Sequence, residues 1–182
     1  SPAAGTGLSS HELNQPGCYR DVKDTTVTAQ FLITDPKPEM QGWGKAYFAA
    51  WTTTPWTLPS NTALCVGNKI DYVAVQSYNP YTAEPVTLVL AKERLSAYFQ
   101  SEGAELPMDA YKQGDKVIPY RVIAEYKGAD LVGMHYEQLF PWVKPVFKDE
   151  DGSIKVSDAG FRVIHGDYVT TEDGTGIVVE SA

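Results

Sequence analysis

The sequence predicts a mainly β fold with a few helices, an α+β chain whose strands close as a barrel or sandwich. Three observations point there. Short runs of β-branched and aromatic residues recur, turn-forming residues separate them, and only one stretch has clear helical spacing. The chain also holds 11 Tyr and 15 Gly, which suit strands and tight turns.

Residues 1–25 are rich in Ser, Gly, Pro, Asn and Asp and are expected to form an irregular arm. Residues 26–182 are expected to form one globular unit. Strands are expected at 27–33 (VTAQFLI), 46–52 (AYFAAWT), 72–77 (YVAVQS) and 86–91 (VTLVLA). Turn signals at 35–44, 67–71 and 79–85 separate them. Residues 91–99 (AKERLSAYF) place Leu95, Tyr98 and Phe99 at three- and four-residue spacing, which predicts a helix, with Gly103 as a stop. A second helix is expected over 133–139. Residues 116–126 contain Pro119, so they form an edge strand or two pieces. Strands at 143–147 and 161–164 flank a turn at Asp151-Gly152. Strands at 168–171 and 176–179 flank Glu172-Asp173-Gly174, which predicts a hairpin.

A length of 182 residues is enough chain to bury a core, and 43% hydrophobic with 21% charged residues excludes general disorder. The net charge of −8 argues against tight, non-specific capture of nucleic acid, which needs a basic surface. It leaves room for a local site that takes one nucleotide end from a partner. Cys18 and Cys65 make neither a disulfide framework nor metal-ligand spacing, and fit a reducing compartment. No apolar run nears the roughly 20 residues of a membrane helix. Without an initiator Met or a signal peptide, the chain reads as a piece of a longer one or as a processed one.

The usual catalysts are absent as patterns. His11, His135 and His165 fall in no metal-binding or Cys-paired spacing, so no metal is expected. Cys65, in Ala-Leu-Cys-Val, is expected as a buried core thiol, and His165 as a surface histidine at a strand end. No nucleophile elbow or phosphate loop appears.

One segment stands apart: WTTTPWTLPSN, from Trp51 to Asn61. Four threonines fall within six positions, between two tryptophans and two prolines. Pro55 keeps Thr54 out of the helical region and removes a backbone donor, so the strand stops in a rigid turn crowded with hydroxyls. By itself this is either a decorated strand edge or a place that binds a polar ligand and positions water.

The segment resembles the threonine-rich motif of the editing domain (connective polypeptide 1) inserted in isoleucyl-tRNA synthetases. Valyl and leucyl relatives typically continue with Arg-Pro where this chain has Thr54-Pro55-Trp56. Residues 8–31 resemble the stretch leading into that insertion, Val89-Leu90-Ala91-Lys92 a strand-to-helix step, and Lys127-Gly128-Ala129-Asp130-Leu131 a KGxxL element. Tyr168-Val169-Thr170 with Gly174-Thr175-Gly176-Ile177-Val178 resembles the approach to the family's second catalytic motif.

The resemblance implies a β-barrel-like editing domain that hydrolyses valine from tRNA(Ile). A hydrophobic pocket rejects a substrate lacking one methylene by only roughly 10–200-fold, isoleucine against valine being a known instance, so a second, smaller site removes errors. The resemblance implies that Thr52, Thr53 and Thr54 line the site and help place the attacking water. Asn61 holds the backbone or ribose, and Trp56, Thr57, Gly174 and Thr175 bind substrate. It implies no cofactor in this domain, with ATP and Mg used by the parent enzyme, and as partners the tRNA(Ile) 3′ end and the rest of the synthetase. It further implies a cytoplasmic location and a monomeric isolated domain. The family pattern has a histidine where Val179 stands and an aspartate beyond Ala182, so this chain is expected to carry the first half of the site. The alternatives are a non-catalytic β-barrel that holds the tRNA 3′ end, and the editing domain of a valyl or leucyl relative.

Overall fold

The computed structural model describes residues 25–142 and 144–181. The expected arm over 1–24, with His11 and Cys18, lies outside these residues, as does Val143.

Ten strands follow in chain order: β1 (Val27–Leu32), β2 (Ala46–Thr52), β3 (Asn61–Val66), β4 (Asp71–Tyr78), β5 (Pro85–Ala91), β6 (Arg121–Lys127), β7 (Val146–Lys148), β8 (Ile154–Val156), β9 (Arg162–His165) and β10 (Ile177–Ser181). The fold is mainly β, as the runs of β-branched and aromatic residues predict.

The pairing around β2 builds the barrel. β1 runs antiparallel along the whole of β2, from Val27↔Thr52 to Leu32↔Tyr47. The other edge of β2 is shared. Ala46–Phe48 pairs in parallel with β5, and Trp51 pairs with Val178 of β10. β10 lies antiparallel to β3, and β3 parallel to β9. Two bridges then close the ring: His135↔Arg162 joins β9 to residues 135–136, and Ile33↔Tyr136 joins those residues to the end of β1. Backbone bonds Thr34 N–H to His135 O (3.0 Å) and Tyr136 N–H to Phe161 O (2.9 Å) hold the seam. Strands β5, β4 and β6 extend from β2 as a wing, with β6 at its edge.

β4 and β5 are buried on both faces over most of their length and read as near-continuous apolar runs, whereas the edge strand β6 is half-buried to exposed. Alternation along each strand sorts them. Phe48, Tyr72, Ala74, Val89 and Ala91 enter the main core with Phe31, Leu64, Leu131 and Ile177. Ala49, Val73, Val75 and Leu90 enter a second cluster with Tyr120, against which Leu95 and Phe99 pack.

Four local expectations differ from the structure. The helix over 91–99 is a 3-10 turn, Lys92–Arg94, followed by one α turn, Leu95–Tyr98, with Ala91 completing β5. It ends at Phe99, which is extended (φ −126°, ψ 132°), so Gly103 is not its stop. No helix forms over 133–139. The helical turn is Gly128–Leu131. It ends at Val132, which is extended (φ −60°, ψ 133°), and Gly133, with φ +90°, turns the chain into the strand-like residues that close the barrel. Residues 168–171 form no strand and Glu172-Asp173-Gly174 no hairpin. Arg94 holds that turn instead, donating from Nε to Gly174 O (2.8 Å) and from Nη1 to Glu172 O (3.2 Å), so β10 pairs with β2 and β3. The strand expected over 116–126 begins only at Arg121, beyond Pro119, and is an edge strand.

Candidate active site

The threonine segment leaves β2 at Thr52 and enters β3 at Asn61, with the 3-10 turn Pro55–Ser60 between them. Pro55 sits at the start of that turn, where its missing N–H costs nothing. The turn therefore holds its hydroxyls on a short, doubly anchored bridge between two barrel strands.

Those hydroxyls form a chain. Thr52 Oγ1 lies 3.2 Å from Thr54 Oγ1, which lies 3.1 Å from Thr57 Oγ1. Thr57 donates its one hydroxyl proton to Thr54 O (2.8 Å), and Thr52 Oγ1 accepts from Thr54 N–H (3.0 Å). With the Thr57 proton committed, one arrangement satisfies every contact: Thr52 donates to Thr54, Thr54 to Thr57, and Thr57 to the carbonyl. All three hydroxyl protons are then used, while the Thr54 and Thr57 oxygens each keep a lone pair. The turn is thus an acceptor surface, able to orient water or another donor. Thr53 is exposed and makes no hydrogen bond among the described residues. Trp56 beside it is 69% exposed.

Asn61 is buried, and its polar atoms are engaged. Nδ2 donates to Ala63 O (2.8 Å) and to Glu180 O (2.9 Å), and Oδ1 accepts from the Tyr136 hydroxyl (2.6 Å). It pins the end of β10 against the start of β3. Ser181 Oγ adds a bond to Thr57 O (3.0 Å), so β10 runs directly beside the threonine turn.

Gly174 and Thr175 lie in the turn that leads into β10. Thr175 is fully buried, and its hydroxyl bonds within its own turn, to Ile177 O (3.2 Å) and from Ile177 N–H (3.3 Å). Gly174 packs on the Trp51 ring. The two set where β10 begins. Tyr136 and Ser181 were not singled out from sequence. Tyr136 lies 75 positions from Asn61, beyond any local spacing signal.

Other polar groups are occupied elsewhere. The Glu180 carboxylate accepts from the Tyr168 hydroxyl. Burial pushes the Cys65 thiol above its usual range, as befits the core thiol expected there. His165 Nε2 pairs with Asp167 (3.0 Å) and His135 Nδ1 with Asp35 (2.8 Å). Val179 packs against the main core. A cavity of about 590 Å³ is lined by Thr34, His135, Tyr136 and Phe161 among others, with no residue of the Thr52–Thr57 turn in its wall.

No family model matches the chain. Its sequence is 74% identical over 178 residues to the isoleucine–tRNA ligase of Bacteroides thetaiotaomicron. It is 62% identical over 180 residues to that of Porphyromonas gingivalis. Each alignment covers 98% of this chain, which spans about 15% of the length of these curated relatives. Among solved structures, the P. knowlesi cytosolic leucyl-tRNA synthetase editing domain aligns with a TM-score of 0.55 at 11% identity, covering 85% of this chain and 57% of that one. The crystal structure of GlLeuRS-CP1 aligns at 0.52 and 15% identity, covering 85% and 52%. At such identities the likeness is one of fold.

Proposed function

Because this chain matches a segment of isoleucine–tRNA ligases along 98% of its own length and shares the fold of synthetase editing domains, we propose that it is the proofreading domain of such a ligase, hydrolysing valine from mischarged tRNA(Ile). The observation that carries the reading is the directed hydroxyl chain from Thr52 through Thr54 to Thr57.

The lone pairs on Thr54 and Thr57 accept hydrogen bonds from a water and hold it for attack. Thr53, exposed at the same turn, meets the ester or the terminal ribose. Water attacks the ester carbonyl, the bond to the ribose oxygen breaks, and that oxygen takes the proton, releasing valine and intact tRNA. Threonine is a poor base, so this half of the site contributes by orientation and hydrogen bonding. Asn61 and Ser181 act one step back, fixing β10 beside the turn.

The domain needs no cofactor of its own on this reading, ATP and Mg serving the rest of the enzyme. No helix among the described residues is long and apolar enough to cross a membrane, and we place the protein in the cytoplasm. With a net charge of −8, the isolated domain binds tRNA weakly. Submicromolar affinity at physiological salt would contradict this.

Val179 favours a second reading, a non-catalytic barrel that only holds the tRNA 3′ end, since the family resemblance implies a histidine there. One assay separates the two. The chain, and the whole ligase containing it, are incubated with valyl-tRNA(Ile) and deacylation is followed. Hydrolysis by the whole ligase supports proofreading. Accumulation of valyl-tRNA with both favours the scaffold.

A further inference from the structure

Strands β7 and β8 form a hairpin with no strand pairing to the barrel. Its register, Val146↔Val156 and Lys148↔Ile154, puts Val146, Ile154 and Val156 on one face with Lys148, and Phe147 with Lys155 on the other. The three aliphatic residues are 57%, 74% and 53% exposed. Each strand has three residues, neither joins a core cluster, and a hairpin this small is marginal in water without something to pack on. Val156 also lines the 590 Å³ cavity with Pro141 and Pro145, so the apolar face runs into a concavity able to take an anchoring side chain.

We infer that this face is where the domain docks onto the remainder of its own ligase. The inference rests on the chain being part of a ligase, as proposed above. Two observations choose this occupant. The chain spans about 15% of its relatives' length, so most of the polypeptide able to cover the face is covalently attached, and tethering lets a modest patch suffice. The hairpin turn carries Asp149, Glu150 and Asp151, Asp158 lines the cavity, and Lys155 is already paired with Asp149. Lys148 on the face and Lys144 in the cavity wall nearly balance these acids, so the face offers no basic patch to draw phosphates, which disfavours RNA as the occupant.

Hydrogen exchange on the whole ligase tests this, with and without tRNA and at two protein concentrations. Amides of 146–156 are expected to be protected without tRNA, and to exchange about tenfold faster in Ile154→Asp. Phe147→Thr, on the opposite face, is expected to keep the protection, and equal loss in both variants would overturn the assigned face. An unprotected hairpin, protection only with tRNA, or protection that rises with protein concentration would each overturn the docking, the last two assigning the face to RNA or to a second copy. Deacylation of valyl-tRNA(Ile) is measured on the same samples. Hydrolysis with an unprotected hairpin sinks the docking alone, and a protected hairpin without hydrolysis sinks the proofreading alone.

Discussion

The Tyr136 hydroxyl donates to Asn61 Oδ1 across 2.6 Å, tying the residues that close the barrel to the first residue of β3. The Tyr136 ring is buried edge-on against Phe31, centroids 5.1 Å apart, and near Phe161 at 6.1 Å. Burial holds the phenol well above its ordinary pKa, so it stays a donor. Both Asn61 amide protons go to backbone carbonyls, so this one donor fixes which way the amide faces. Tyr136→Phe leaves a buried carbonyl oxygen unpaired and is expected to cost about 1–3 kcal/mol. Asn61→Asp should cost more, because it turns a carboxylate oxygen toward the carbonyls of Ala63 and Glu180. Urea unfolding of both variants checks the order. Wild-type stability in Tyr136→Phe would remove the clasp from the account.

The hydroxyl chain separates stability from function at neighbouring positions. Thr54→Val removes its middle link and should cost about 1 kcal/mol. Thr53→Ala, at an exposed side chain, should stay within about 0.5 kcal/mol of wild type. On the proposed function both variants, placed in the whole ligase, let valyl-tRNA accumulate while isoleucine activation persists. Proofreading at wild-type rate in both would refute the role of the turn.

The turn that begins β10 makes a steric prediction. Gly174 has φ +66°, and a Cβ there would stand 2.7 Å from the Trp51 ring. Gly174→Ala combines a disfavoured backbone with overpacking and should cost about 2–4 kcal/mol. Because Trp51 leads into the threonines, the variant should also slow hydrolysis of mischarged tRNA. A melting temperature within a degree or so of wild type would contradict the contact.

What was legible in the sequence is what short-range physics writes there. β2, from Ala46 to Thr52, was readable to the residue because its six apolar or aromatic side chains and the β-branched Thr52 stop at a proline-bound turn. Pro119 likewise marked β6 as an edge strand, though not its start at Arg121. The barrel was legible only as a class. Its closure depends on Ile33 meeting Tyr136 and His135 meeting Arg162, pairings between distant positions that no local spacing encodes. Glu172-Asp173-Gly174 misled for the same reason: its turn chemistry is real, but Arg94, some 80 positions away, decides what the turn packs against. At the site, the threonines were readable by composition. Tyr136 and Ser181 were not, since their part is set wholly by the strands that deliver them.

Tyr72 couples that same turn to pH. Its hydroxyl is fully buried, donates to Gly176 O (2.6 Å) and accepts from Gly67 N–H (3.1 Å). Burial pushes the phenol from 10.0 up to about 12, with the Gly67 N–H pulling the other way. The raised pKa means the folded state holds the proton more tightly than the unfolded chain does. Its stabilisation is therefore complete below the unfolded pKa near 10 and is lost as pH rises through about 12. Urea midpoints should be flat to about pH 9 and fall above about pH 10. Tyr72→Phe should start about 1–2 kcal/mol lower, from its two stranded backbone groups, and then fall less steeply. Some slope should remain, because burial and Glu39 also raise Tyr126 to about 12. An alkaline slope unchanged in Tyr72→Phe would show that the phenol is not what couples β10 to pH.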